Sequence, residues 1–567
     1  MLLGLASLMM AATQIAEPPE SAPMEAPAEA PAAPAVVDYP PSFFADARPN
    51  TALDMLSRVP GFSVDGGGGG RGFGAGGNVL IDGERPSSKS DSLSDILRRI
   101  PASQVVKIEL IRGGRPDIDM QGRPVVANVI RKAGGGVKGA VVISAAVTEH
   151  AGIGPAARLE LQQSVSGRTV EGSVFVQRSE GDGAGDGPRN RVYLDGVTPE
   201  INSDRLADST FDLAEATGVF EGPIGAGRLR LNAMVNTNSH SYLALDRRAT
   251  QTDRDENTRE ETSGELGLRY SRDIAALGRL EISALQQLRD FSSLSEFTSG
   301  ATVTAFGNDR TSGESIARAA MLFTPIIGVR FNGGVETAYN WLETASSYTY
   351  NGAPVTLANA SIRVEEMRTE AFGAATWSPV SSLSLEAGLR YETSNISSEG
   401  AAPLDKRLSY WKPRALATWA LAKNQQLSFR IEREVSQLSF GDFSASASLA
   451  NGSVVSGNPD LEPETSWVYE AKYELRFDAK GVIALTLVRR DIADVVDRNL
   501  FFVPGSPPTD YEAADNVGDA VRSAFVINTT LPLDRVHIPG GLLRLKTAWA
   551  DSEMTDPITG QTRRMSH

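Results

Sequence analysis

The sequence predicts a membrane all-β protein, a large antiparallel transmembrane β-barrel with a compact α+β segment ahead of it. The first observation behind this is SWVYEAKYELRF, Ser466 to Phe477. In it Trp467, Tyr469, Ala471, Tyr473, Leu475 and Phe477 alternate with Val468, Glu470, Lys472, Glu474 and Arg476. Successive side chains of a strand point to opposite faces, so this ribbon has one apolar wall and one charged wall. The same pattern recurs at Leu383 to Glu392 and at Leu229 to Asn236. The second observation is length. Candidate strands at 227–243, 278–291, 410–421, 424–435 and 465–477 reach or exceed the roughly ten residues a tilted strand needs to cross a bilayer. The third is monotony: from about Val137 the amphipathic strand and turn repeat, and no second domain type interrupts them. In a soluble sandwich the apolar faces would meet in a core, whereas in a membrane barrel they face lipid and the polar faces line a lumen. Strands of membrane length favour the barrel.

Composition narrows the function. The chain has 567 residues, 55 Lys and Arg against 70 Asp and Glu, a net charge of −15, and no Cys. An acidic balance argues against general nucleic-acid binding, which needs concentrated Lys and Arg. Without Cys there are no disulfides and no thiolate metal sites. The four histidines, His150, His240, His537 and His567, are too scattered to propose a metal site, and no cofactor is expected. No nucleophile, base and orienter occur together, so no covalent chemistry is expected either.

The elements follow in order. Leu2 to Ala12 is an apolar run too short to span a bilayer as a helix and suited to the h-region of a secretory signal, so residues 1–16 read as a signal peptide whose basic n-region is missing. Glu17 to Pro41 carries eight prolines among Ala and Glu, and residues 17–47 read as an extended tether. Two similar stretches come next, Thr51 to Val64 and Ser92 to Leu110. Each reads as a capped short helix, a proline stop and a strand, with Thr51 and Ser92 as N-caps and Pro60 and Pro101 as stops. Between them Asp65 to Gly77 is glycine-rich and leads into NVLIDGERP, a strand entering an Asp82-Gly83 turn. A phosphate-loop reading of these glycines fails, because they lead into a strand and no helix follows to receive a phosphate. They read instead as a mobile loop.

Four stretches, in this order, carry a resemblance to a known family: NVLIDGERP (Asn78 to Pro86), VVKIELIRGG (Val105 to Gly114), QGRPVVANVIRK (Gln121 to Lys132) and GNPDLEPETSWVYE (Gly457 to Glu470). They resemble the plug strand and turn, the Ile/Leu-Arg-Gly strand, the run closing the plug, and the Gly-Asn-Pro-x-Leu-x-Pro-Glu signature of the TonB-dependent outer-membrane receptors of Gram-negative bacteria. The resemblance implies a plug at 48–134 inside a barrel at 135–567. It implies a receptor that binds a large scarce solute, such as a siderophore, cobalamin or oligosaccharide, and imports it with energy relayed by TonB. Its partners would be TonB with its inner-membrane energising complex, outer-membrane lipid, the barrel-assembly machinery and an unidentified extracellular ligand. The best match to a TonB box is Val36, Val37, Asp38 and Tyr39, an extended segment able to add as a strand to a partner's sheet. The competing reading is that Val36 to Phe44 docks within the plug. Glu109 and Arg112 are read as plug-to-barrel ion-pairing groups, and Arg71, Phe73 and Arg85 as apical plug residues placed to meet a ligand.

Two alternatives remain at this point. A receptor of the same architecture acting mainly in signalling would need a folded domain before the plug, and residues 17–47 are too poor in apolar residues to form one. A surface β-sheet adhesin would carry no plug motifs. One departure from the family pattern stands out: its barrels have twenty-two strands and commonly end in an aromatic residue, whereas about seventeen strand candidates are found here and only 103 residues follow GNPDLEPE. The expectation is an incomplete barrel in a C-terminally truncated chain.

Overall fold

The computed structural model describes residues 36–565, with gaps at 67–71, 114–119, 149–151, 193–199, 401–402, 450–452 and 503–509 and at a few single positions. The predicted signal peptide, most of the tether and Arg71 lie outside the described residues.

The first unit is a small α+β body: β1 (Val36–Tyr39), α1 (Ala52–Leu56), β2 (Val79–Ile81), α2 (Leu93–Arg98), β3 (Val105–Arg112) and β4 (Val125–Arg131). Its sheet order is β1-β3-β4-β2, with β2 parallel to β4 and the other pairs antiparallel. Both predicted N-caps form. Thr51 Oγ1 accepts from Asp54 N at 3.2 Å and the Asp54 carboxylate returns a bond to Thr51 N at 3.0 Å, a complete capping box. Ser92 Oγ accepts from Asp95 N at 3.1 Å. The helices end at Leu56 and Arg98, ahead of Pro60 and Pro101, because turn-forming residues close them first. The Asp82-Gly83 turn has positive φ at both positions (52° and 85°), the geometry of a tight type I′ hairpin turn. Phe44, Met55, Leu56, Leu97, Ile108 and Leu110 form the centre of this body's core.

The rest is a barrel sheet built in chain order. Its strands are β5 (Gly136–Thr148), β6 (Gly152–Val165), β7 (Arg168–Gly181), β8 (Gly187–Arg191), β9 (Ile201–Ile224), β10 (Gly227–Arg247), β11 (Thr252–Ile274), β12 (Gly278–Ser299), β13 (Thr302–Ile326), β14 (Val329–Tyr350), β15 (Ala353–Val355), β16 (Ser361–Val380), β17 (Leu383–Gly400), β18 (Leu404–Ala422) and β19 (Gln425–Val435). It continues after β20 (Ser446–Ser448) and β21 (Ser453–Ser456) with β22 (Thr465–Phe477) and β23 (Gly481–Ala493). After β24 (Val496–Phe502) and β25 (Asp510–Asn516) come β26 (Ala520–Pro532), β27 (Leu542–Thr555) and β28 (Thr562–Arg563). Seventeen of the wall strands among the described residues have eleven residues or more. The sheet order returns from β28 to β5, so the strands form a ring, with the short β28 at the seam. Val141 and Val142, on opposite faces of β5, are 69% and 52% exposed.

The walls are inverted relative to a soluble protein. Glu366, Arg368, Glu392 and Glu474 are at most 1% exposed inside, whereas Leu266, Leu487, Trp411 and Trp549 are each more than half exposed outside. That inversion is what lipid outside and a polar lumen inside require. Trp411 and Trp419 both point outward from β18, eight residues apart. At about 3.3 Å per residue and a tilt of about 40° they stand roughly 20 Å apart along the barrel axis, close to the height of an outer-membrane apolar band. Several strands run beyond their predicted ends, β10 to Arg247 and β12 to Ser299. Above the lipid the hairpins keep pairing without an apolar outer face, so the alternating pattern fades before the strand does.

One end of the barrel has short turns and the other long loops. At the loop end β20, β21, β25 and β24 form a separate four-stranded sheet. Its connecting stretch folds into the mouth, where Leu438, Phe443 and Leu461 bury against inward-facing Ile362, Val364 and Ile396. No helix among the described residues is long and apolar enough to cross a membrane.

Candidate plug and lumen site

The small α+β body sits in the lumen and is gripped mainly by barrel carboxylates. Glu265 on β11 accepts from Lys89 N at 3.2 Å and Ser90 N at 2.7 Å, and from Ser88 Oγ. Glu314 pairs with Lys89 Nζ at 2.9 Å, and Gln287 Nε2 donates to Ser90 Oγ at 2.6 Å. Glu336 accepts from Phe73 N at 3.2 Å. Gly72 has φ +65°, and a Cβ there would collide with the Glu336 carboxylate, so glycine is needed for this close approach. In the other direction Glu84 of the small body meets Arg279 and accepts from Ser271 Oγ at 3.0 Å. Arg131 bonds Asp82 at 2.7 Å within the body and reaches Glu171 at 2.8 Å and Glu221 at 3.2 Å on the wall. Burial opposes its charge, but the three carboxylates outweigh that and hold its pKa above the ordinary arginine value.

The residues singled out from the sequence fall as follows. Arg112 Nη2 lies 2.9 Å from Glu474 Oε1 on β22, both side chains at most 3% exposed. Their contact is one of charges rather than aligned hydrogen bonds. Glu109 is held by Lys107 at 2.9 Å and by Asn128 Nδ2 at 3.0 Å, both on its own sheet. Phe73 packs against Leu285, Ile316 and Ala338 of the wall. Arg85 donates to Gly77 O, and its own carbonyl accepts from Arg269 at 2.5 Å. Val36 to Tyr39 forms the outer strand of the plug sheet, paired antiparallel with Ile108 to Ile111. Lys107 Nζ donates to Asp38 at 2.8 Å, and hydrogen bonds to Asp38 and Glu109 raise the lysine pKa. Tyr39 is buried beside Phe43 and Phe44, and burial pushes its phenol pKa up.

Sequence reasoning missed Arg131, Glu265, Glu336 and the partner role of Glu474. The available signal was a carboxylate at an inward position of an otherwise regular strand. Which plug group each would meet depends on barrel stagger.

On the opposite side of the plug a cavity of about 990 Å³ opens between Phe62, Ser63, Asn78, Gln121 and Arg123 and the wall from β17 to β27. The wall contributes Arg390, Lys412, Arg414, Arg430, Lys472, Arg490, Arg544 and Lys546 against Glu432, Glu434, Glu464 and Glu470. Several of these cations are matched, as Arg414 is by Glu386 at 2.5 Å and Arg430 by Glu470 at 3.1 Å. Arg544 and Lys546, both on β27, make no ion pair among the described residues and leave this side of the cavity positive.

A polar-lumened barrel with a folded body seated inside it by ion pairs defines a plugged outer-membrane receptor. The family description "TonB dependent receptor-like, beta-barrel" matches residues 197–526, and the chain belongs to that family. Among solved structures it is similar to a mutant of the ferric enterobactin receptor PfeA from Pseudomonas aeruginosa, at 16% identity and a TM-score of 0.50, over 94% of this chain and 80% of that one. It is also similar to the copper transporter OprC, at 14% identity and a TM-score of 0.50, over 92% and 80%. At these identities the likeness shows the fold alone. No curated protein matches the chain.

Proposed function

We propose that the protein is a TonB-coupled importer in the outer membrane of a Gram-negative bacterium. It takes a large scarce solute, of the siderophore or similar chelate class, into the periplasm. The observation that carries this reading is the way the plug is held. Its contacts with the wall are largely ion pairs and hydrogen bonds to Glu171, Glu221, Glu265, Glu314, Glu336 and Glu474. Once the plug begins to move, water can take over each of these polar contacts, whereas an apolar interface would resist at every step. Val36 to Tyr39 is the handle. Its outer edge is unpaired within the plug sheet, so a periplasmic TonB strand can add there, and a pull on β1 acts directly on β3 and Arg112. The basic cavity beside the plug suits an anionic chelate on its way through.

The test is accumulation of radiolabelled ferric chelates, cobalamin and oligosaccharide by a deletion strain and its complemented parent, with and without a proton-gradient uncoupler. Uptake of one class that needs both the gene and the gradient supports import. Equal accumulation in the two strains for every class would remove it.

A further inference from the structure

Most inward-facing arginines of this barrel have carboxylate partners, such as Arg368 with Glu336 at 3.3 Å and Arg414 with Glu386 at 2.5 Å. One group near the loop end is short of carboxylates and also open to the lumen. Arg259, Arg289 and Arg310 gather on the lumen face of β11, β12 and β13, the first and last of them over the ring of Phe291. Arg310 Cζ lies 4.0 Å and Arg259 Cζ 5.2 Å from the ring centroid. The carboxylate that serves them is Glu261, 3.1 Å from Arg259 and 3.4 Å from Arg289. Arg310 makes no ion pair among the described residues, and its guanidinium rests on Phe291 instead. Three cations share one anion, and the Arg259 and Arg289 side chains are 52% and 50% exposed into the lumen.

The position of the group matters as much as its charge. Glu261, Phe291 and Arg310 are direct cross-strand neighbours, and so are Glu265, Gln287 and Glu314, the three wall residues that grip Ser88 to Ser90 of the plug. The second row lies four residues from the first along each strand, roughly 10 Å toward the short-turn end after allowing for tilt. The folded-in loop passes over the first row, where a Cβ built on Gly441 would lie 3.6 Å from Arg310 Nη1. A ligand here would be enclosed between that loop and the plug.

The geometry points to a ligand station: Arg259 and Arg310, resting on Phe291, together with Arg289 beside them, select a solute carrying several oxyanion groups and hold it directly above the plug grip. Guanidinium forks pair with carboxylates and similar oxyanions in two-point contacts, and stacking on Phe291 fixes the Arg310 fork before the ligand arrives. The station deepens the import reading and rests on it for its purpose, although its binding can be tested alone.

Purified receptor is titrated at low salt with citrate, with inorganic pyrophosphate and with neutral maltotriose. Both anions should bind, the tighter naming the oxyanion class, and maltotriose should not. Arg289→Gln with Arg310→Gln should weaken anion binding at least tenfold, with barrel heat-modifiability retained. Arg310→Lys, which keeps the charge but loses the fork, should fall between. Wild-type affinity in the double variant, or no binding of either anion to the wild type, overturns the station. Binding that weakens as stated, in cells that show no energy-dependent uptake, would instead overturn the import reading and leave the station standing.

Discussion

Replacing Glu474 by Ala should loosen the plug far more than removing the ion pair altogether. Arg112 and Glu474 touch at 2.9 Å with side chains 3% and 2% exposed, so neither charge has water to fall back on. Deleting one partner leaves the other buried and uncompensated, a change of about 3–5 kcal/mol. Exchanging both for apolar residues of similar volume, Arg112→Met with Glu474→Leu, is often neutral or stabilising. The cost of the single variant falls on the plug rather than the barrel, because β22 stays paired to β19 and β23 along its whole length. Hydrogen exchange followed by mass spectrometry on the purified receptor reads this directly. Amides of β3 should exchange about 100- to 5,000-fold faster in Glu474→Ala, the factor expected of that energy, and near the wild-type rate in the double variant. If single and double variants exchange alike, the pair is not what holds β3 to the wall.

Other expectations follow from the same geometry. Leu487→Arg, on the lipid face in the middle of β23, should cost about 2–4 kcal/mol and reduce heat-modifiable barrel, whereas Leu475→Arg, near the short-turn rim, should cost about 0–1 kcal/mol. Equal yields of the two would contradict the placement of the lipid band. Gly72→Ala puts a Cβ into the Glu336 carboxylate at a positive φ, and limited proteolysis should cut the plug sooner than in the wild type at a cost of about 1–3 kcal/mol. Val37→Pro removes a backbone donor from β1 and should abolish energised uptake while ligand binding to cells persists, with Val37→Ala much milder. Wild-type uptake by Val37→Pro would move the TonB contact elsewhere.

What could be read from the sequence was what depends on neighbours in sequence. The alternation at Trp467 to Phe477 gave the correct faces because strand pleat alone decides them. Thr51 and Ser92 were recognisable as caps because their partners lie three residues on. The strand count was also legible. The motif marked Arg112 as a wall-pairing group, but its partner Glu474 was not legible, nor was the Arg131 and Glu221 pair, since these are brought together by barrel stagger and plug tilt, which no local pattern encodes. The folded-in loop was missed for a different reason. Leu438, Phe443 and Leu461 are single apolar residues scattered in a polar stretch, and only their burial against Ile362, Val364 and Ile396 shows that they act together. Val36 to Tyr39 permitted both of its readings, because an edge strand of the plug and a strand offered to a partner have the same sequence character.

The most direct test of the central account, that the plug must leave the wall for transport, is a reversible tether. The chain contains no cysteine, so Ser90→Cys with Gln287→Cys introduces a single pair of thiols; because the long glutamine side chain now spans the gap, its Nε2 2.6 Å from Ser90 Oγ, the two thiols are joined through a short reducible bis-methanethiosulfonate linker rather than directly. Energised uptake is measured in the linked and reduced states of the same cells, with ligand binding as the control. The account predicts binding in both states, no uptake when the tether is closed, and recovery on reduction. Uptake at the wild-type rate through the linked receptor would contradict it.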